Sequence, residues 1–190
     1  TESNTVRITD INPDGSSNPM NLKEFNSYLY FTVIDGSTAP ALWRTDGTTN
    51  GTEKFKSLSN NYFQINNLTV FKNYLLFNAI SPFLGNQLWA TDGIDIRGTR
   101  MVSEVGFNGG LEFNGELYFR GYDFESGYEL WKTDGTANGT ILVKDINPSS
   151  SSNPTEFIIF QERMLFQADD GIYSRELWSS DGTAEGTELF

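Results

Sequence analysis

The 190-residue chain contains no cysteine and no histidine. Those two absences exclude Ser-His-Asp and Cys-His nucleophile systems, imidazole or thiolate metal centres, disulfides and a histidine pH switch. Basic residues are scarce too: 13 Lys and Arg stand against 25 Asp and Glu, a net charge of −12. A nucleic-acid binder needs clustered cations to neutralise phosphates, so no such partner is expected. No stretch approaches the roughly 20 apolar residues of a membrane helix, so membrane insertion is not expected either. There is no basic-then-apolar signal segment and no initiator Met, so the chain reads as a mature protein or an excised piece of one.

What the chain has is aromatic surface and turn chemistry. Only 37% of residues are hydrophobic, yet 14% of all residues are Phe, Tyr or Trp, beside 18 Gly. That mixture predicts an all-β protein with aromatic cores and frequent tight turns. Four segments repeat: ALWRTDGTTNGT (41–52), QLWATDGIDIRGT (87–99), ELWKTDGTANGT (129–140) and ELWSSDGTAEGT (176–187). Their tryptophans, Trp43, Trp89, Trp131 and Trp178, lie 46, 42 and 47 residues apart. Twelve residues before each stands a phenylalanine (Phe31, Phe77, Phe119, Phe166), and six before that another (Phe25, Phe71, Phe113, Phe160).

Each unit reads as four short antiparallel strands, A to D, joined by short turns. Strand A ends at the first Phe, strand B carries the second, strand C carries Leu-Trp, and strand D follows Gly-Thr. Four-stranded units of this length are the signature of β-propeller blades. The expected fold is therefore one domain over 1–190, a four-bladed propeller with blades near 12–58, 59–105, 106–146 and 147–190. The stretch 4–11 resembles a strand D and is expected to complete the last blade and close the ring, which would remove two open edges. A slice of a longer repeat array is the competing reading.

The stretch Glu129–Thr136 is a full match to the ELWxxDGT repeat, which occurs in tandem in large bacterial surface and secreted proteins, and Glu176–Thr183 is a second. Ala41–Thr48 departs at the first position, and Gln87–Ile94 departs at both ends. Asp145-Ile146-Asn147-Pro148 and Ser152-Asn153-Pro154 also resemble that family. The resemblance covers nearly the whole chain and implies an extracellular bacterial repeat protein. It brings no catalytic residues and no settled ligand.

The motif residues suit a structural role. An Asp before Gly (Asp46, Asp92, Asp134, Asp181) can accept the amide two residues on while Gly takes a positive φ, and the following Thr can satisfy another turn amide. Calcium is the functional alternative, since hard cations prefer such oxygens, but one Asp per turn supplies few anionic ligands. No metal-binding residues are therefore assigned, and calcium stays a candidate cofactor, in the blades or in a central channel. Asp10–Gly15 matches the first half of an EF-hand loop, D-x-N-x-D-G. Asn21 stands where a bidentate Glu is needed and no helices flank it, which favours a polar turn. The tryptophans are expected as core wedges between sheets.

Function is expected in the loops that differ between units, because recognition resides in variable loops on a fixed scaffold. The A–B and C–D turns are nearly the same in every unit, whereas the B–C and D–A loops are not. Those loops carry six aromatics off the repeat pattern: Tyr62, Phe63, Phe83, Tyr122, Phe124 and Tyr173. Asp35, Asp123 and Asp170 each lie eight residues before their Trp, with Ser81 in that place in the second unit. Aromatics beside carboxylates can anchor a protein partner or stack on sugar rings. The expected function is a non-catalytic extracellular adhesion module that binds a protein or cell-envelope partner. The alternative is a lectin, calcium-assisted in one form. An enzyme built on acid pairs such as Asp123/Glu125 or Asp169/Asp170 is not expected, since adjacent loop acids are ordinarily only solvated.

Overall fold

Alternating apolar residues and Asx turns make strands here, and the computed structural model describes residues 5–36, 41–58 and 64–190. Among the described residues sixteen strands form four four-stranded antiparallel sheets, the four-stranded units expected of propeller blades. The first sheet is β1 (Met20–Phe25), β2 (Tyr28–Thr32), β3 (Ala41–Thr45) and β4 (Glu53–Ser57). The second is β5 (Gln64–Phe71), β6 (Tyr74–Ser81), β7 (Gly85–Thr91) and β8 (Arg100–Ser103). The third is β9 (Gly106–Phe113), β10 (Glu116–Asp123), β11 (Gly127–Thr133) and β12 (Ile141–Lys144). The fourth is β13 (Thr155–Phe160), β14 (Arg163–Asp169), β15 (Arg175–Ser180) and β16 (Glu188–Leu189). Strands follow chain order across every sheet. The chain forms two compact units, residues 1–85 with 90–100, and residues 86–89 with 101–190.

The fourth strand of the last sheet is β16, from within the repeat itself. Residues 5–10 form no strand, so the closure expected from 4–11 is not what the fourth sheet uses. Strand β9 begins at Gly106, where Phe107 is fully buried against Phe119, ring centroids 5.2 Å apart.

The column spacings have a simple geometric origin. Phe31, Phe119 and Phe166 pair directly with Trp43, Trp131 and Trp178 across the B–C ladder, so the twelve-residue interval is a hairpin register. Each A strand carries a bulge four residues before its Phe, at Asn21, Asn67, Gly109 and Glu156, all at positive φ. Asn and Gly adopt that conformation readily and Glu does not. The A–B turns of three sheets place both central residues at positive φ: Asn26-Ser27, Asn114-Gly115 and Gln161-Glu162. Only Asn-Gly suits such a turn without strain.

The C–D turn is a closed hydrogen-bond network. Asp46 Oδ1 accepts the Thr48 amide at 2.9 Å and its hydroxyl at 2.7 Å, and Thr48 Oγ1 accepts the Gly51 amide at 2.9 Å. Thr45 and Thr52 meet hydroxyl to hydroxyl at 2.7 Å, while Thr45 Oγ1 accepts the Gly47 amide. The same bonds recur around Asp134 and Asp181. A Cβ at Gly51, Gly139 or Gly186 would overlap the carboxylate of its own turn, which is why that position is Gly. In the second sheet Ile94 lacks the hydroxyl, and Asp95 instead caps a short 3-10 helix over Ile96–Gly98.

Neighbouring sheets within each unit are joined through this turn. In the first unit the buried Tyr30 donates to the Gly93 carbonyl at 3.1 Å, and Arg44 Nη1 donates to the same oxygen at 2.9 Å. In the second unit Tyr118 donates to the Gly182 carbonyl at 3.3 Å. Beneath it lies a core of Phe113, Leu130 and Val143 from the third sheet against Met164, Phe166 and Trp178 from the fourth.

Candidate binding face

The B–C hairpins stand at the end of each sheet opposite the A–B and C–D turns. Their conformation is set by the residue eight before Trp. In the second sheet Ser81 Oγ accepts the amides of Phe83 and Leu84, both at 3.3 Å. In the third, Asp123 Oδ1 accepts Glu125 N at 3.1 Å, Ser126 N at 2.6 Å and the Ser126 hydroxyl at 2.7 Å. In the fourth, Asp170 Oδ1 accepts Ile172 N at 2.8 Å and Tyr173 N at 2.9 Å, and these bonds hold its carboxyl below the usual range. Asp169 caps Gly171 in the same way. These side chains fix the hairpin tip.

Asp35 has a different task. Its side chain is 4% exposed, with Oδ2 2.6 Å from Lys54 Nζ and 3.3 Å from the Trp43 indole nitrogen, so it is turned into its own sheet. A shared sequence column therefore supports tips in three sheets and an indole in the first.

The tips hold apolar side chains out in solvent. Phe83 is 78% exposed and Phe124 80%, with Tyr173 at 63% beside Ile172 at 75%. In the third sheet the aromatics form a ladder. Phe124 stands edge-on to Tyr122 at 5.8 Å, Tyr122 meets Tyr128 at 4.8 Å, and the Arg120 guanidinium lies 5.0 Å above the Tyr128 ring. Tyr122 is thus half-buried, a support for Phe124 more than a tip residue. Tyr62 and Phe63 lie outside the described residues.

Sequence reasoning assigned no role to Glu129, the first letter of the octet. It is fully buried. Its Oε2 accepts the Ile146 amide at 2.8 Å and the Ser152 hydroxyl at 2.6 Å, and Oε1 accepts the Ser152 amide at 2.8 Å. Burial pushes its pKa upward, with the three donors pulling the other way. The signal was legible in the chain: Glu129 is followed by Asp145-Ile146-Asn147-Pro148 and Ser152-Asn153-Pro154, whereas Ala41 and Gln87, which replace it, are followed by no such loop. Among the described residues no group of three acidic side chains is placed to hold a metal ion. Nor is any helix there long and apolar enough to cross a membrane. Compared with protein-family models and with curated proteins, the chain matches none, so its likeness to the ELWxxDGT repeats is carried by the motif residues themselves.

Proposed function

We propose that this chain is a non-catalytic extracellular binding module that recognises a protein partner, on a cell surface or in a cell envelope, through its B–C hairpins. One observation carries the reading: three hairpin tips hold large apolar side chains in water, on loops locked by Ser81, Asp123 and Asp170. Rigid exposed aromatics are costly in an isolated protein and are what a docking surface requires, because little conformational entropy is lost when they bind. The resemblance to bacterial surface repeats supports the extracellular location.

The test is binding of the labelled chain to intact cells, before and after surface proteolysis, alongside a glycan array with and without calcium. The triple variant Phe83→Ser/Phe124→Ser/Tyr173→Ser is expected to unfold at the wild-type temperature yet lose cell binding, and proteolysis of the cells is expected to abolish wild-type binding. A triple variant that binds like wild type would dismiss these hairpin tips. Calcium-dependent binding to the array would replace the protein partner with a carbohydrate.

A further inference from the structure

Asn-Gly pairs stand at 50–51, 108–109, 114–115 and 138–139. Asparagine before glycine is open to attack by its own backbone, because the glycine amide nitrogen can reach the carboxamide carbon and no Cβ hinders it. The fold treats these pairs differently.

In the C–D turns the attacking nitrogen is occupied. Gly51 N donates to Thr48 Oγ1 at 2.9 Å, and Gly139 N to Thr136 Oγ1 at 3.0 Å. Each of these glycines is also wedged against the carboxylate of Asp46 or Asp134, so closely that a Cβ would overlap it. The peptide therefore has no room to turn toward the carboxamide. Asn108 and Gly109 are half-buried inside strand β9, held between the ladder pairs Phe107–Gly121 and Gly110–Phe119.

Asn114-Gly115 has none of these restraints. It is the A–B turn of the third sheet, with both residues exposed and at φ 51° and 78°. Among the described residues neither the Asn114 carboxamide nor the Gly115 amide has a hydrogen-bond partner. The same turn of the first sheet shows the restraint that is missing: Asn26 Nδ2 donates to Asp92 O at 2.9 Å, and Ser27 follows it in place of glycine. A Cβ on Gly115 would meet nothing within 4 Å. Asn114 and Gly115 line a cavity of about 660 Å³ with Glu112, Ile159 and Glu162, which leaves space for a ring to close and for water to enter.

We propose that Asn114 is a modification site that converts spontaneously to aspartate and isoaspartate through a cyclic imide. Gly115 N gives its proton to solvent base and bonds to Asn114 Cγ. The Cγ–Nδ2 bond breaks, and Nδ2 takes a proton from water and leaves as ammonia. Water then opens the five-membered ring. Cleavage between Gly115 N and Cγ leaves aspartate; cleavage between Gly115 N and the main-chain carbonyl carbon leaves isoaspartate, with the backbone running through Cβ and Cγ. One water is consumed and one ammonia released, with no oxidation. The product adds a carboxylate to a cavity that Glu112 and Glu162 already line. Isoaspartate also lengthens the A–B turn whose sequence suits its backbone best.

The test is peptide mapping by mass spectrometry of the folded chain held in mildly alkaline buffer, with the urea-unfolded chain alongside. In the folded chain Asn114 is expected to convert at least about tenfold faster than Asn50, Asn108 and Asn138, the factor set by one hydrogen bond that must break first. Unfolding is expected to bring all these pairs to similar rates. Thr48→Val frees the Gly51 amide and is expected to speed conversion of Asn50 about tenfold, whereas Thr48→Ser keeps the hydroxyl and the slow rate. An Asn114 that converts no faster than Asn50 or Asn138 in the folded chain, or an order of rates that unfolding leaves unchanged, would overturn the proposal.

Discussion

The third and fourth sheets both carry the full ELWxxDGT octet, but its first residue is sealed beneath a loop in one and open to water in the other. Glu129 accepts three hydrogen bonds from buried donors, while Glu176 is exposed. The lesson is that half of this motif builds its own turn and half serves a neighbour. Asp, Thr and the second Gly close the C–D turn within their own unit. Glu and Leu have a role only where an adjoining sheet or loop is packed on them, and the first Gly, at positive φ in every turn, gains a second one there.

The largest effect should separate the two glutamates. Glu129→Ala leaves three buried donors without an acceptor and is expected to cost about 3 kcal/mol in urea unfolding. Glu176→Ala should stay within about 0.5 kcal/mol of wild type. Equal losses would break the comparison. The first Gly of the motif gives the next contrast. A side chain at Gly182 is strained by its φ of 97° and overlaps the Tyr118 hydroxyl, whereas Gly47 has the strain at φ 93° with open space. Gly182→Ala is expected to cost about 2 kcal/mol or more and Gly47→Ala about 1, read from thermal unfolding.

A smaller effect should run the other way. The third sheet turns its A–B corner with Asn114-Gly115, and the fourth with Gln161-Glu162 at φ 46° and 63°. Replacing Gln161-Glu162 by Asn-Gly should stabilise the protein by about 1 kcal/mol, since the new residues adopt the observed backbone without strain. The smallest effect concerns pH. Because burial raises the Glu129 pKa from 4.5, the folded state holds its proton more tightly than the unfolded chain. Its contribution is therefore present below the unfolded pKa and lost as pH rises through the folded one. The stability of wild type relative to Glu129→Gln should accordingly rise as pH is lowered through the range just above 4.5. A pH-independent difference would show that burial does not dominate at this site.

Much of the fold was legible because it is written in short-range chemistry. Trp, Phe and Asp-Gly columns report hairpin registers and Asx turns, which depend on residues within about a dozen positions. The Asp46 and Thr48 bonds follow from the residues themselves. Other features depend on contacts that no local pattern encodes. The seating of Glu129 spans 23 residues to Ser152, and the split of the Asp35, Asp123 and Asp170 column appears only once Lys54 is seen beside Asp35. Among the site candidates, exposure was legible for Phe83, Phe124 and Tyr173 from their place in unequal loops, but not the half-burial of Tyr122 against Tyr128. The expected strand at 4–11 misled because a strand D sequence needs a strand C beside it, and the C strand of the fourth sheet pairs with β16.

The central claim is that the first residue of the octet acts through the loop that follows it, Glu129 being seated on Ile146 and Ser152. A double-mutant cycle on Glu129→Ala and Ser152→Ala, measured by urea unfolding, tests this most directly. The account predicts a coupling of about 1 kcal/mol or more between the two positions. Losses that simply add would contradict it.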